Sequence, residues 1–221
     1  MFDKLLSFLA PHYCCGCDKI GSLLCDNCKY NIISEQSPRC LGCQKPTATM
    51  WLCKDCKMPY QKAWAVGERE GVLQRLIGLY KFERAISGHR ILGNLLLDVV
   101  PHLPENTIII PIPTPESRIR QRGYDHMLLI AKYFAKNRNL KCMPILKRAK
   151  NTKQRHATTA QRLIQAKNAF YVDEKLDKNK VYLLIDDVIT TGATLKYAAK
   201  TLRRAGAKNI WVAVIAQQIL K

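Results

Sequence analysis

Nothing in the 221-residue sequence stays apolar long enough to cross a bilayer. The run Leu5-Leu6-Ser7-Phe8-Leu9-Ala10 falls far short of the ~20 residues a spanning helix needs. No basic segment and small-residue cleavage site flank it, which argues against a signal peptide. The run reads as a short helix packed on a domain, and the expected location is the cytoplasm. Acidic side chains are scarce, 17 against 36 Lys and Arg. Cysteine is nearly missing from the later part of the chain, where Cys142 stands alone, while the other nine of the ten lie before residue 57. Without a secretory signal this crowding does not describe a disulfide framework. There is no internal repeat of the whole fold and no evident helix-turn-helix. Nearly half the residues are apolar, which excludes a disordered chain.

The early cysteines fall into four C-x-x-C pairs: Cys14 and Cys17, Cys25 and Cys28, Cys40 and Cys43, Cys53 and Cys56. Each pair can turn two thiolates toward one ion, and two pairs complete a tetrahedral four-cysteine site. Eight such residues suit two structural zinc ions. Pairing neighbours (14, 17, 25, 28 and 40, 43, 53, 56) makes compact loops and is the expected arrangement, with an interleaved one open. Cys15 adjoins a ligand at poorer spacing, and Cys142 reads as a core residue. The first ~60 residues show little periodicity, so a zinc-binding module over 1–60, followed by a second domain over 61–221, is expected.

The positive charge is concentrated. Residues 118–168 carry 14 basic side chains against one acid, Asp125. A single-sign excess this dense implies a polyanionic partner, nucleic acid or phosphate.

From residue 61 strands and helices alternate. Strands are expected at 63–67, 107–110, 181–185 and 210–216, the second and third being continuous β-branched or aliphatic runs of the buried parallel kind. Helices are expected at 72–80, 86–100, 127–136 and 194–204, each with an apolar face, the last stopped by Gly206. Pro111 and Pro113 should stop the second strand, and residues 147–161 read as an exposed loop. The pattern is that of an α/β parallel sheet flanked by helices.

Between the strand ending at Ile185 and the next helix runs Asp186-Asp187-Val188-Ile189-Thr190-Thr191-Gly192-Ala193-Thr194. Small and hydroxyl-bearing residues at a helix N-terminus, at the carboxyl end of a parallel strand, make a phosphate cradle. Two carboxylates beside it would repel a bare phosphate. They make sense as acceptors for sugar hydroxyls or as ligands of Mg²⁺.

This segment resembles the loop by which type I phosphoribosyltransferases hold 5-phosphoribosyl 1-pyrophosphate (PRPP). The resemblance implies that Asp186 and Asp187 hold the ribose hydroxyls and are the catalytic candidates. It also implies that Thr190, Thr191, Gly192, Ala193 and Thr194 bind the 5-phosphate, and that Mg²⁺ enters with PRPP. Residues 110–113 followed by Arg118, Arg120 and Arg122 would grip the pyrophosphate, and residues 147–161 would close over the site.

Joined to the cysteine module, the whole chain resembles the ComF family of competence proteins. Leu79-Tyr80-Lys81-Phe82 carries the likeness, as do Ile110-Pro111-Ile112-Pro113 with Arg118, Arg122, Gly123 and Tyr124. So do Arg148, Thr152, Gln154, Arg162, Asn168 and Phe170. Asp125-His126 departs from the Asn-Gln usual there. The resemblance implies work on single-stranded DNA in the cytoplasm during natural transformation, beside a DNA translocase and recombination loaders. Arg118, Arg120, Arg122, Lys147, Arg148, Lys150, Lys153 and Arg155 would then follow a phosphate backbone or the pyrophosphate, with Tyr124 offering a stacking face. A working Mg²⁺-dependent phosphoribosyltransferase is the alternative.

Overall fold

The computed structural model describes residues 13–34, 37–48, 51–83, 85–149 and 169–219. Leu5–Ala10 and residues 150–168 lie outside them, and with these Lys150, Thr152, Lys153, Gln154, Arg155, Arg162 and Asn168.

Five parallel strands form the central sheet: β1 (Lys62–Glu68), β2 (Thr107–Pro111), β3 (Lys141–Cys142), β6 (Val181–Ile189) and β7 (Asn209–Gln217), in the order β1-β7-β6-β2-β3. Two short strands, β4 (Lys147–Arg148) and β5 (Phe170–Tyr171), pair antiparallel beside it. The helices are α1 (Asp26–Ser34), α2 (Gly71–Phe82), α3 (Gly88–Val99), α4 (Glu116–Arg122), α5 (His126–Asn137) and α6 (Ala193–Arg204).

Strand periodicity sorts the core onto the two faces of the sheet. Trp64, Val66, Ile109, Leu183, Ile185, Ala213 and Ile215 pack with α2, α3 and α5. Ala63, Ala65, Ile108, Ile110, Leu184, Val212 and Val214 pack with α6, through Leu195, Ala198, Ala199 and Leu202. Both faces are covered, which is why the strands read as continuous apolar runs. The cysteine-rich segment joins both cores: Leu23 and Leu24 enter the first, and Leu41, Trp51 and Tyr60 the second.

β2 stops at Pro111, as its sequence implies, and the Ile112 N–H still bonds the Ile185 carbonyl at 2.9 Å, because a proline at a strand's last residue forfeits only one donor. Three expectations need correction. β6 does not end at Ile185 but reaches Ile189, since β7 is long enough to pair it as far as Gln217. The 147–161 loop begins later than expected, because Lys147 and Arg148 are held in β4 by Tyr171 and Phe170. Cys142 is half-buried on the edge strand β3 rather than sealed in the core. Helix α4, short and without an apolar stripe, gave no periodic signal.

Candidate functional site

Asp186 and Asp187 are consecutive on β6, so their side chains leave opposite faces of the sheet at its carboxyl edge. Both line one cavity of about 330 Å³, together with Lys81, Phe82, Thr114, Arg118, Arg122, His126, Arg148 and Thr194. Lys81 and Phe82 are the last two residues of α2, while Arg118 and Arg122 sit one turn apart on α4. Arg148 extends from β4, where its Nε donates to the Pro113 carbonyl at 2.8 Å and its guanidinium lies 5.1 Å from the Phe170 ring centroid.

Asp187 is the hub. Its Oδ2 accepts from Lys81 Nζ at 2.5 Å and from His126 Nε2 at 2.6 Å, and its Oδ1 from the Val188 N–H at 2.5 Å. Burial would raise its pKa, but the His126 hydrogen bond and the Lys81 ammonium outweigh burial and hold it well below the usual carboxylate range. Asp186 behaves oppositely. Burial, then the adjacent Asp187 charge, pushes its carboxyl up, while its Oδ1 accepts the Asp187 N–H at 2.9 Å. One acid of the pair is thus a fixed anion and the other is poised to hold a proton, a division that neighbouring carboxylates adopt to avoid charging together.

Asp125 and His126 have defined places. The Asp125 Oδ1 caps α5, accepting from the N–H groups of Met127 and Leu128, each at 3.1 Å, and from Thr114 Oγ1 at 2.7 Å. The cap fixes His126 in the first turn, buried. Arg122 Nη1 stands 2.8 Å from His126 Nδ1. A guanidinium can only donate, so Nδ1 is the acceptor and Nε2–H is the group that donates to Asp187. Tyr124, offered above as a stacking face, is instead turned inward: its hydroxyl donates to the Tyr80 carbonyl, and its ring lies 5.6 Å from that of Tyr80.

The loop over residues 190–194 divides between two cavities. Thr194 faces the main cavity, whereas Thr190 and Thr191 line a second one of about 240 Å³ with Leu41, Gly42, Cys43 and Gln44 of the cysteine module. Gly192 caps α6 at φ 74°, a left-handed conformation natural to glycine, and a Cβ there would stand 3.2 Å from the Leu41 carbonyl oxygen. The Gln217 side chain donates to the Cys40 carbonyl at 3.3 Å, so the same turn is tied to the end of β7.

Of the basic residues singled out in the sequence, Arg118, Arg122 and Arg148 reach the cavity. Arg120 points to solvent and meets Glu116 at 3.6 Å. Lys147 pairs with Asp173 at 2.5 Å on the other side of β4 from Arg148, as strand alternation dictates. Lys81, Thr114 and His126 were not among the sequence-based site residues. A lysine closing an apolar helix was the available signal for Lys81, and an Asp before a helical run that for the cap of α5.

The eight cysteines gather as two groups, Cys14, Cys17, Cys25, Cys28 and Cys40, Cys43, Cys53, Cys56, with the Sγ atoms of each within 4.8 Å of one another. The Cys17–Cys25 and Cys43–Cys53 sulfurs are 3.6 and 3.7 Å apart, close to the ~3.8 Å edge of a ZnS₄ tetrahedron with bonds near ~2.3 Å. Each group favours one thiolate, while burial pushes the Cys28 thiol up to about 12 and the Cys56 thiol up as well. At Cys14 burial opposes ionisation, but N–H groups of Cys25 and Gly16, both 3.4 Å from the sulfur, bring its pKa down to about 6. At Cys40 burial is likewise outweighed by backbone N–H groups, Gly42 among them at 3.4 Å, and the value falls to about 7. Four thiolates around one position fit a closed zinc site, which leaves no coordination place for substrate.

A parallel sheet with helices on both faces and a Thr-Thr-Gly loop at its carboxyl edge is the architecture of the phosphoribosyltransferases, and two four-cysteine groups are added to it. Residues 130–219 match the phosphoribosyl transferase domain family. Competence protein F of Haemophilus influenzae is 30% identical over 219 residues, an alignment that takes in 85% of this chain and 94% of that protein. Competence protein ComFC of Streptococcus pneumoniae is 23% identical, covering 86% and 85%. The DNA utilization protein YhgH of Escherichia coli K12 is 28% identical, covering 90% and 86%. The chain belongs to the ComF family of competence proteins.

Proposed function

We propose that the protein handles single-stranded DNA in the cytoplasm during natural transformation, through a phosphoribosyltransferase fold that binds PRPP. The observation that carries this reading is the cavity at the strand ends. Four fixed cations, Lys81, Arg118, Arg122 and Arg148, line it with Asp186, Asp187 and Thr194. Cations of this number suit a pyrophosphate or a strand backbone, and the acid pair with the adjoining loop 190–194 suits a ribose 5-phosphate. The relatives named for competence and for DNA utilization support the DNA half. The basic run 118–155, where described, supplies the approach, and a DNA translocase with recombination loaders supplies the expected company.

Zinc in each four-thiolate group would hold residues 1–60 in register against the domain over 61–221. Mg²⁺ carried in on PRPP would neutralise pyrophosphate charge. Asp186 is the acid of the pair left to meet it, since Asp187 already binds Lys81 and His126.

A second reading, pentosyl transfer to an acceptor, draws on Asp186: a buried carboxyl with a raised pKa beside the sugar site is a proton-transfer candidate. A paired titration tests both. PRPP with Mg²⁺ and a fluorescent oligonucleotide are each titrated with and without the other, and pyrophosphate release is followed in parallel. The DNA reading expects strand affinity whose logarithm falls linearly with log salt, by about 0.7 per phosphate contact. Alanine at Arg118, Arg122 and Arg148 together should flatten that slope by about 2. A strand affinity indifferent to salt, or PRPP left unbound, would sink it, and pyrophosphate release with an added acceptor would favour the enzyme.

A further inference from the structure

We infer that Phe82 is the stacking platform of this site, receiving a nucleobase of the single strand whose phosphates the cavity holds. The inference rests on the DNA reading above and names the residue that reads the base side of the ligand. Large apolar side chains left exposed among the described residues are Tyr13, Ile20, Tyr30, Phe82, Ile86 and Tyr171. Of these, Phe82 alone lines the cationic cavity, and it is 66% exposed. An isolated exposed phenylalanine needs no explanation, but one set on the rim of a pocket built from charged groups does.

Helix geometry produces the arrangement. Lys81 and Phe82 are successive residues, about 100° apart around α2. Lys81 turns inward to Asp187 at 2.5 Å, so Phe82 must turn outward beside the opening. The Arg122 guanidinium lies 5.7 Å from the Phe82 ring centroid while also donating to His126 Nδ1. It thus links the exposed ring to the acid network on the cavity floor. Ring and cation side by side is the pairing that single-strand grooves use, the aromatic face taking a base and the basic groups taking the adjoining phosphate. Stacking is tolerant of base identity, because every base has a π-face, so such a platform would bind strands with little sequence preference.

The test uses the full-length, zinc-loaded protein and two oligonucleotides of equal length, one intact and one with consecutive abasic sites. For the wild type the intact strand should bind tighter. In Phe82→Leu, which keeps an apolar side chain at an exposed position, that preference should shrink by about 5- to 150-fold, the range expected for one lost base stack. Phe82→Trp should keep or enlarge it. A strand carrying 2-aminopurine should show quenching on binding to wild type that Phe82→Leu reduces. An unchanged intact-to-abasic ratio in Phe82→Leu overturns the inference while leaving the DNA reading in place. Failure of the wild type to bind either strand overturns both.

Discussion

Asparagine at the two adjacent acids should move stability in opposite directions. Asp186 is 9% exposed, and its carboxyl is pushed up from an unperturbed 3.8 by burial and by its neighbour's charge. An acid whose pKa is higher folded than unfolded binds its proton more firmly in the native state. Stability is therefore fully present below the unfolded value and declines as pH rises toward the folded one. Asp186→Asn removes that decline, and the amide oxygen can still accept the Asp187 N–H. A gain of about 1–2 kcal/mol at pH 7.5 is expected. Asp187 has the opposite shift. Its depressed pKa contributes stability above the unfolded value, lost only as pH falls toward the low folded one. Asp187→Asn strands Lys81, whose side chain is 15% exposed, without its counter-ion. Breaking so enclosed a pair costs about 3–5 kcal/mol.

At about 2–4 °C per kcal/mol for a chain of this size, Tm should rise by roughly 2–8 °C in the first variant and fall by roughly 6–20 °C in the second. Thermal unfolding in saturating zinc at pH 5.5 and 7.5 measures both. The Asp186→Asn advantage should be smaller at pH 5.5, where the wild-type carboxyl is mostly protonated in the fold. Both variants should bind PRPP more weakly, so in Asp186→Asn affinity and stability part company. Two variants that lose stability together, or a gain identical at the two pH values, would refute this account of the pair.

Asp125→Ala should cost about 1 kcal/mol by uncapping α5, with Asp125→Ser recovering most of it in the same melts. Gly192→Ala should cost about 1–2 kcal/mol, because it forces a left-handed φ and crowds the Leu41 carbonyl, and calorimetry should show weaker PRPP binding with zinc content unchanged. Elemental analysis should find two zinc ions per chain and one after Cys28→Ser or Cys56→Ser, each substitution lowering Tm. Cys56→Ser should weaken PRPP binding the more, since its group borders Thr190 and Thr191.

The strands were legible because apolar β-branched runs between turn formers have few other readings, as at Thr107–Ile110. The cysteine grouping followed from C-x-x-C spacing, and the turn into α6 from a helix N-terminus rich in glycine and threonine. The cation network was not legible. Lys81, Arg122, His126 and Asp187 come from four elements, α2, α4, α5 and β6, and only the sheet order brings them together. No local pattern encodes that meeting. Tyr124 and Phe82 show the same limit from the other side. Sequence offers two aromatics near basic residues, and which one faces solvent is settled by where Tyr80 packs. Arg120 and Lys147 lie outside the cavity because single-residue spacing decides whether a side chain on a short helix or strand points into the pocket.

The placement of the two four-cysteine groups gives the metal a more specific task than holding together a small module. Cys28 and Ile32 pack on the core that contains α2, the helix ending in Lys81 and Phe82, and Lys29 is tied to Asp98 of α3 at 2.8 Å. Leu41 and Trp51 pack on the opposite core, against α6, where the turn at residues 41–44 meets Thr190 and Thr191. Asp186 and Asp187 divide along the same line, because adjacent residues of one strand face opposite sides of the sheet. Each four-thiolate group thus braces one face of the strand whose carboxyl end holds the acid pair. One stands behind the cation network and the other behind the turn at residues 190–194. Zinc at the first group should therefore govern the grip on pyrophosphate or strand, and zinc at the second the grip on the sugar phosphate. A ligand reaching both must straddle the edge of β6.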